Sequence, residues 1–156
     1  MKTLVTFFSV SSKTKKVAER LAKLSGADLF EIKPEVPYTS ADVKFINPLA
    51  RCNKEKLGKA QVPIADKISN FDEYDLIVIG FPIWYAAEPN IIDTFVTDYD
   101  FSGKKVALFA TSGGTGAAKS KDKVQAVIKG DAKVIDSKLF KVDSPDEDLK
   151  NWIEKL

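Results

Sequence analysis

Histidine is absent from this sequence, and cysteine occurs once, as Cys52. Without histidine there is no imidazole zinc site, no Ser-His-Asp triad and no Cys-His pair. With one cysteine no internal disulfide can form, which suits a reducing, cytoplasmic setting. Cys52 itself reads as a partly buried structural thiol. No apolar run approaches the ~18 residues of a membrane span. The apolar start, Leu4-Val5-Thr6-Phe7-Phe8, is too short for an export signal, and no cleavage-type site follows it. Charge of one sign is also lacking. There are 24 basic and 22 acidic residues, so the formal net charge is only +2. The lysines are scattered rather than gathered in a stripe, so no nucleic-acid partner is expected. No repeat, low-complexity tract or interdomain linker interrupts the 156 residues, and residues 1–156 read as a single domain. A chain of that size can bury about 70% of its unfolded surface without a disulfide or metal staple.

What the sequence does contain is alternation. Five short apolar runs recur: Leu4–Phe8, Leu29–Ile32, Leu76–Ile79, Val106–Ala110 and Lys133–Phe140. The third is continuously apolar, as suits a strand covered by helices on both faces. Helical patterns lie between them. Val17, Leu21 and Leu24 share one face, and Glu19 can pair with Lys23 one turn on. Glu88-Pro89 opens a helix with Ile91, Ile92 and Phe95 as its apolar face. Lys119–Lys129 predicts a helix with Val124, Val127 and Ile128 inward, stopped by Gly130. In the last helix Ser144 is the expected cap, Pro145 the first residue and Glu147 the partner in a capping box. Leu149, Trp152, Ile153 and Leu156 form its stripe. The stretch from Lys33 to Gln61 has no steady period. It reads as a long loop with a short helix near Asn53–Lys59, followed by a second helix near Ile64–Ser69.

Strands alternating with helices imply an α/β three-layer sandwich: a five-stranded parallel sheet, helices on both faces, right-handed crossovers. Five strands fit the doubly wound order 2-1-3-4-5, which places a ligand beyond the C-terminal strand ends, where the first and third strands part. Three loops at that edge are unusual. Ser9-Val10-Ser11-Ser12-Lys13-Thr14 leads from a strand into a helix N-terminus, where free N–H groups attract phosphate; alternatively its serines simply cap the helix. Gly80-Phe81-Pro82-Ile83-Trp84-Tyr85 offers flat aromatic faces to a planar heterocycle, or else core packing. Thr111-Ser112-Gly113-Gly114-Thr115-Gly116 lets backbone approach a ligand edge, or is an ordinary turn.

These loops, with Gly26–Pro34, Val36-Pro37-Tyr38, Tyr74–Tyr85 and Tyr99–Lys104, resemble the flavodoxin family, in particular its short bacterial members. The resemblance covers most of the chain. It implies FMN as cofactor, with the phosphate at Ser9, Ser11, Ser12, Lys13 and Thr14. It implies the isoalloxazine between Pro82, Ile83, Trp84 and Tyr85 on one side and Thr111, Ser112, Gly113 and Gly114 on the other, with Tyr38 nearby. The family's Thr-Gly-Asn-Thr loop is here Ser11-Ser12-Lys13-Thr14. A Cβ at Ser12 is expected to strain or shift the turn, and Lys13 adds a positive charge that can face the phosphate.

The function implied is electron transfer by bound FMN, with redox partner proteins as its counterparts and a monomer as its default state. The alternative is an NAD(P)H-dependent FMN reductase of quinones, azo compounds or flavins, for which a homodimer is the common arrangement. A third reading is a binding module whose FMN site is weakened. Two rivals on the same architecture are excluded. A receiver domain needs an aspartate after the third strand, where this chain has Gly80-Phe81-Pro82. A low-molecular-weight tyrosine phosphatase needs a cysteine at the head of the first loop, where this chain has Ser9.

Overall fold

The computed structural model describes residues 1–44, 46–58, 61–84, 87–111 and 118–156. Five strands, β1 (Thr3–Phe7), β2 (Asp28–Glu31), β3 (Leu76–Pro82), β4 (Lys105–Thr111) and β5 (Lys133–Phe140), form one sheet in the order β2-β1-β3-β4-β5. Every pairing is parallel. The helices are α1 (Lys13–Ser25), α2 (Arg51–Gly58), α3 (Asn90–Asp98), α4 (Ala118–Val127) and α5 (Asp146–Glu154).

The pleat sorts the side chains into two cores. Val5, Phe7, Leu76, Val78, Ala107 and Phe109 face α1 and α5, meeting Val17, Leu21, Leu149 and Trp152. Leu4, Ile77, Ile79, Val106 and Leu108 face the other way, toward Ile91, Ile92, Phe95 and Val124 of α3 and α4. This is why Leu76–Ile79 carries no polar face: each of its side chains meets a helix layer. Gly80 continues β3 for a packing reason. A Cβ there would lie 2.0 Å from Cζ of Phe109 on the neighbouring strand.

Several local expectations need correction. No helix forms at 64–69. Instead Ile64 makes an antiparallel bridge with Pro34. Ala65 N–H donates to Lys33 O (2.8 Å) and Glu35 N–H to Pro63 O (2.9 Å), which commits this backbone to extended pairing. Pro63 itself favours an extended residue before it. The short helix in the long loop starts two residues earlier than expected, at Arg51, and Lys59 lies outside the described residues. Pro89 is the N-cap of α3 rather than its first residue. At α5, Pro145 is the N-cap and no side chain caps the helix. Ser144 Oγ accepts instead from Lys141 N–H (2.9 Å), closing the turn before the helix. Val127 of α4 is 38% exposed, whereas Val124 and Ile128 are buried as the pattern predicts. Cys52 is buried and unpaired, and burial pushes its thiol pKa up.

Candidate functional site

The loop from β1 to α1 turns at Ser12, whose backbone is left-handed (φ 66°, ψ 0°). Among the described residues it is the one non-glycine with positive φ. An L-residue pays about 1–2 kcal/mol for that conformation. Ser12 is the N-cap of α1, but its side chain makes no cap hydrogen bond. The first-turn N–H groups of α1 therefore donate no bond to the Ser12 hydroxyl, and the helix N-terminus carries a partial positive charge. The Oγ of Ser9 is closed to solvent and has no hydrogen-bond partner among the described residues.

Thr14, the second residue of α1, is buried. Its Oγ1 lies 2.7 Å from Oγ1 of Thr111, at the end of β4; either hydroxyl can donate. The first and third of the loops singled out above are thus tied directly. The second loop is set by β3 itself. Ile83 N–H reaches Thr111 O at 3.4 Å, the outer limit of a hydrogen bond. Trp84 N–H donates to Ala87 O (2.8 Å) and Ala87 N–H to Trp84 O (3.1 Å). Trp84 is 5% exposed. Its ring packs edge-on against Phe8 (centroids 5.6 Å apart) and Tyr38 (5.4 Å).

A cavity of about 550 Å³ opens where these loops converge. Ser11, Lys13, Pro82, Ile83, Trp84 and Thr111 line it together. The described lining contains two lysines, Lys13 and Lys141, and no carboxylate, a balance suited to an anionic ligand. Sequence reasoning missed Val10, Val43, Phe140, Lys141 and Val142, which also line it. Lys141 and Val142 follow the C-terminal end of β5, so the rule that pointed to the other three loops applied here too. Val43 comes from the aperiodic stretch and carried no such signal.

The remaining expected residues are placed differently. Ser9 and Tyr38 line a separate cavity of about 430 Å³ beyond β1 and β2. The Tyr38 hydroxyl donates to Glu55. Arg51 lies over its ring, 3.9 Å from the centroid. Burial first, and the bond to Glu55 second, push its ionisation upward. Ser12 shapes the first loop without joining the described lining, and Thr14 reaches the cavity wall through Thr111. Tyr85, Ser112, Gly113 and Gly114, with Thr115 and Gly116, lie outside the described residues.

Fold and cavity together define a doubly wound α/β protein with a cavity at the switch point between β1 and β3. A family model described as Flavodoxin matches residues 2–156. The chain belongs to the flavodoxin family, whose strand order it shares.

Solved structures agree. A protein from Bacteroides eggerthii assigned as a flavoprotein is 34% identical, with a TM-score of 0.88 over 99% of this chain and 96% of that one. A flavoprotein from Lactobacillus acidophilus, solved in complex with FMN, is 26% identical, with a TM-score of 0.71 over 97% and 98% of the two chains. Among curated proteins, an FMN-dependent NADH:quinone oxidoreductase from Bacillus anthracis is 36% identical over 78 residues. That match takes in 46% of this chain and only 36% of the relative's length. No helix among the described residues is long and apolar enough to cross a membrane.

Proposed function

We propose that the chain binds FMN in the cavity at the β1/β3 switch point and acts as an electron-transfer protein, with residues 1–156 working as one domain. The observation that carries this reading is the meeting of Ser11 and Lys13 with Pro82, Ile83, Trp84 and Thr111 around one cavity of about 550 Å³. The donor set fits the group. The N-terminus of α1, which has no side-chain cap, and the side chains of Ser11 and Lys13 suit a phosphate. Ser12 accepts the left-handed turn that a glycine would take more cheaply. The phosphate role falls to Ser9, Ser11, Ser12, Lys13 and Thr14. The flavin rings fall to Pro82, Ile83, Trp84, Tyr85, Thr111, Ser112, Gly113 and Gly114. The FMN complex of the Lactobacillus acidophilus relative supports the same cofactor here.

When bound, FMN supplies the redox chemistry. The chain's part is to hold it, exclude water from its inner face and set the polarity around its rings. The described lining offers no carboxylate, and electron transfer through bound FMN needs no side chain as acid or base. Redox partner proteins are the proposed electron donors and acceptors of a cytoplasmic monomer, a setting that the single cysteine of the sequence suits. The test is a visible spectrum before and after loading with FMN and removing the excess. A retained flavin spectrum is expected. An empty spectrum after reconstitution would leave a binding module with a weakened FMN site and remove the redox reading.

A second reading rests on the Bacillus relatives named as FMN-dependent NADH:quinone oxidoreductases. It makes the chain an NAD(P)H-dependent reductase, in which a homodimer would complete the substrate site. Steady NADH or NADPH oxidation by the FMN-loaded chain with a quinone would decide for it.

A further inference from the structure

The turn after β5 is held at the cavity in two independent ways. The first is the sheet. Thr111 of β4 stands in register with Phe140, the last residue of β5. Thr111 in turn meets Thr14 of α1, hydroxyl to hydroxyl, at 2.7 Å. Lys141 is the next residue beyond Phe140, so the sheet delivers it to the edge where α1 begins. There it lines the cavity together with Ser11 and Lys13.

The second is Arg20, further along α1, whose guanidinium spans the same turn. Nη1 donates to Val142 O (2.8 Å), Nη2 to Ser144 O, and Nε to Asp146 Oδ1 (2.8 Å). The turn is also closed from within. Lys141 N–H donates to Ser144 Oγ (2.9 Å), and Ser144 N–H donates to Lys141 O (3.0 Å). A planar fork can hold several acceptors at once, which the single ammonium of a lysine does less well. Residues 141–144 are thereby tied to the helix whose N-terminus borders the cavity. The charges there are of one sign. Lys13 and Lys141 are the charged residues of the described lining. Among the described residues no carboxylate pairs with either, and Asp146 is taken up by Arg20.

We propose that Lys141 binds a terminal phosphate together with Lys13, and that Arg20 is its positioning residue. The inference rests on the FMN reading for its ligand and deepens it. A phosphate monoester carries about −1.5 to −2 charges at neutral pH, and Lys13 alone offsets one of them. With Lys141 added, the site selects a flavin that ends in a phosphate over one that ends in a free hydroxyl. The other phosphate groups come from the loop after β1; this one comes from the far edge of the sheet, and Arg20 joins the two.

The test measures binding of FMN and of riboflavin to the flavin-free full chain, by flavin fluorescence at low ionic strength. Inorganic phosphate is titrated separately and followed by the amide shifts of Ser11, Ser12 and Thr14. Lys141 is exposed, so Lys141→Met leaves the core intact. It should weaken FMN and phosphate roughly five- to tenfold, and riboflavin by less than about twofold. The FMN loss should shrink in about 0.5 M salt. Lys141→Arg should keep FMN binding within about threefold of the unsubstituted chain. Arg20→Gln should weaken FMN more than riboflavin, and should add little to Lys141→Met in the double variant. Equal losses for the two flavins, or no loss in Lys141→Met, would overturn the proposal. Additive losses would overturn the part given to Arg20. The phosphate titration keeps two failures apart. Phosphate binding that depends on Lys141, in a chain that retains no FMN, would remove the FMN reading and keep the anion site. FMN binding indifferent to Lys141 would do the reverse, and a chain that binds neither ligand would lose both.

Discussion

Thr14 Oγ1 and Thr111 Oγ1 lie 2.7 Å apart although 97 positions separate them in the chain. One hydroxyl opens the first helix and the other ends the fourth strand, so this bond sets the spacing of two walls of the candidate FMN site. Both residues are buried, which removes water as a replacement partner. Thr14→Val and Thr111→Val should each cost about 1–3 kcal/mol, because each strands the other hydroxyl. The double variant should cost less than the sum of the two. Urea unfolding of the four proteins checks this. FMN affinity measured alongside should fall in both single variants, and strictly additive stability losses would show the two hydroxyls to be independent.

Ser12 makes a prediction of opposite sign. Its left-handed backbone is a strain that glycine does not feel. It contributes no side-chain cap whose loss would offset the relief. Ser12→Gly should therefore stabilise the chain by about 0.5–1 kcal/mol, net of the added freedom of the unfolded state. FMN affinity should hold or rise. A destabilised variant would show that the serine hydroxyl makes a contact worth more than the strain.

Trp84 separates packing from cofactor tuning. Its edge contacts with Phe8 and Tyr38 make it part of the core, while it also lines the cavity. Trp84→Ala should cost about 3–5 kcal/mol and report only on packing. Trp84→Phe keeps an aromatic ring and most of the volume, and should fold. If the ring also shapes the flavin environment, the two-electron potential of bound FMN in Trp84→Phe should shift by roughly 30 mV or more, which is about tenfold in relative affinity for the two redox states. An unchanged potential in a folded Trp84→Phe would confine this residue to the core.

The sheet was legible because it depends on runs of residue type. Leu76–Ile79 reads as a strand buried on both faces, and the structure buries every one of its side chains. The three loops were legible because the strand order decides which ends come together. What failed was whatever depends on a distant partner. Ile64 has a helix-compatible neighbourhood in sequence but pairs with Pro34. Ser144 has the look of a cap but turns back to Lys141. Lys141 and Val142 follow the C-terminal end of β5, and they line the cavity with Ser11 and Lys13 although their segment has none of the glycine or aromatic signals of the other three loops. The Thr14–Thr111 bond depends on how α1 sits against β4, which no local pattern records.

Asp93 links folding to pH with a definite sign. In the unfolded chain its carboxyl titrates near 3.8; in the fold burial and Glu88 hold the proton up to about 7. Between those values the folded state binds more protons than the unfolded one, so this group's contribution to stability falls as pH rises and levels off above about 7. The group is therefore a liability at neutral pH that acid removes, opposite to the usual salt-bridged carboxylate. Asp93→Asn has no proton to lose. Its urea midpoint relative to the unsubstituted chain should climb from about pH 5 and level off above about pH 7. A constant gap across that range would mean that the Asp93 carboxyl titrates alike in the folded and unfolded chains.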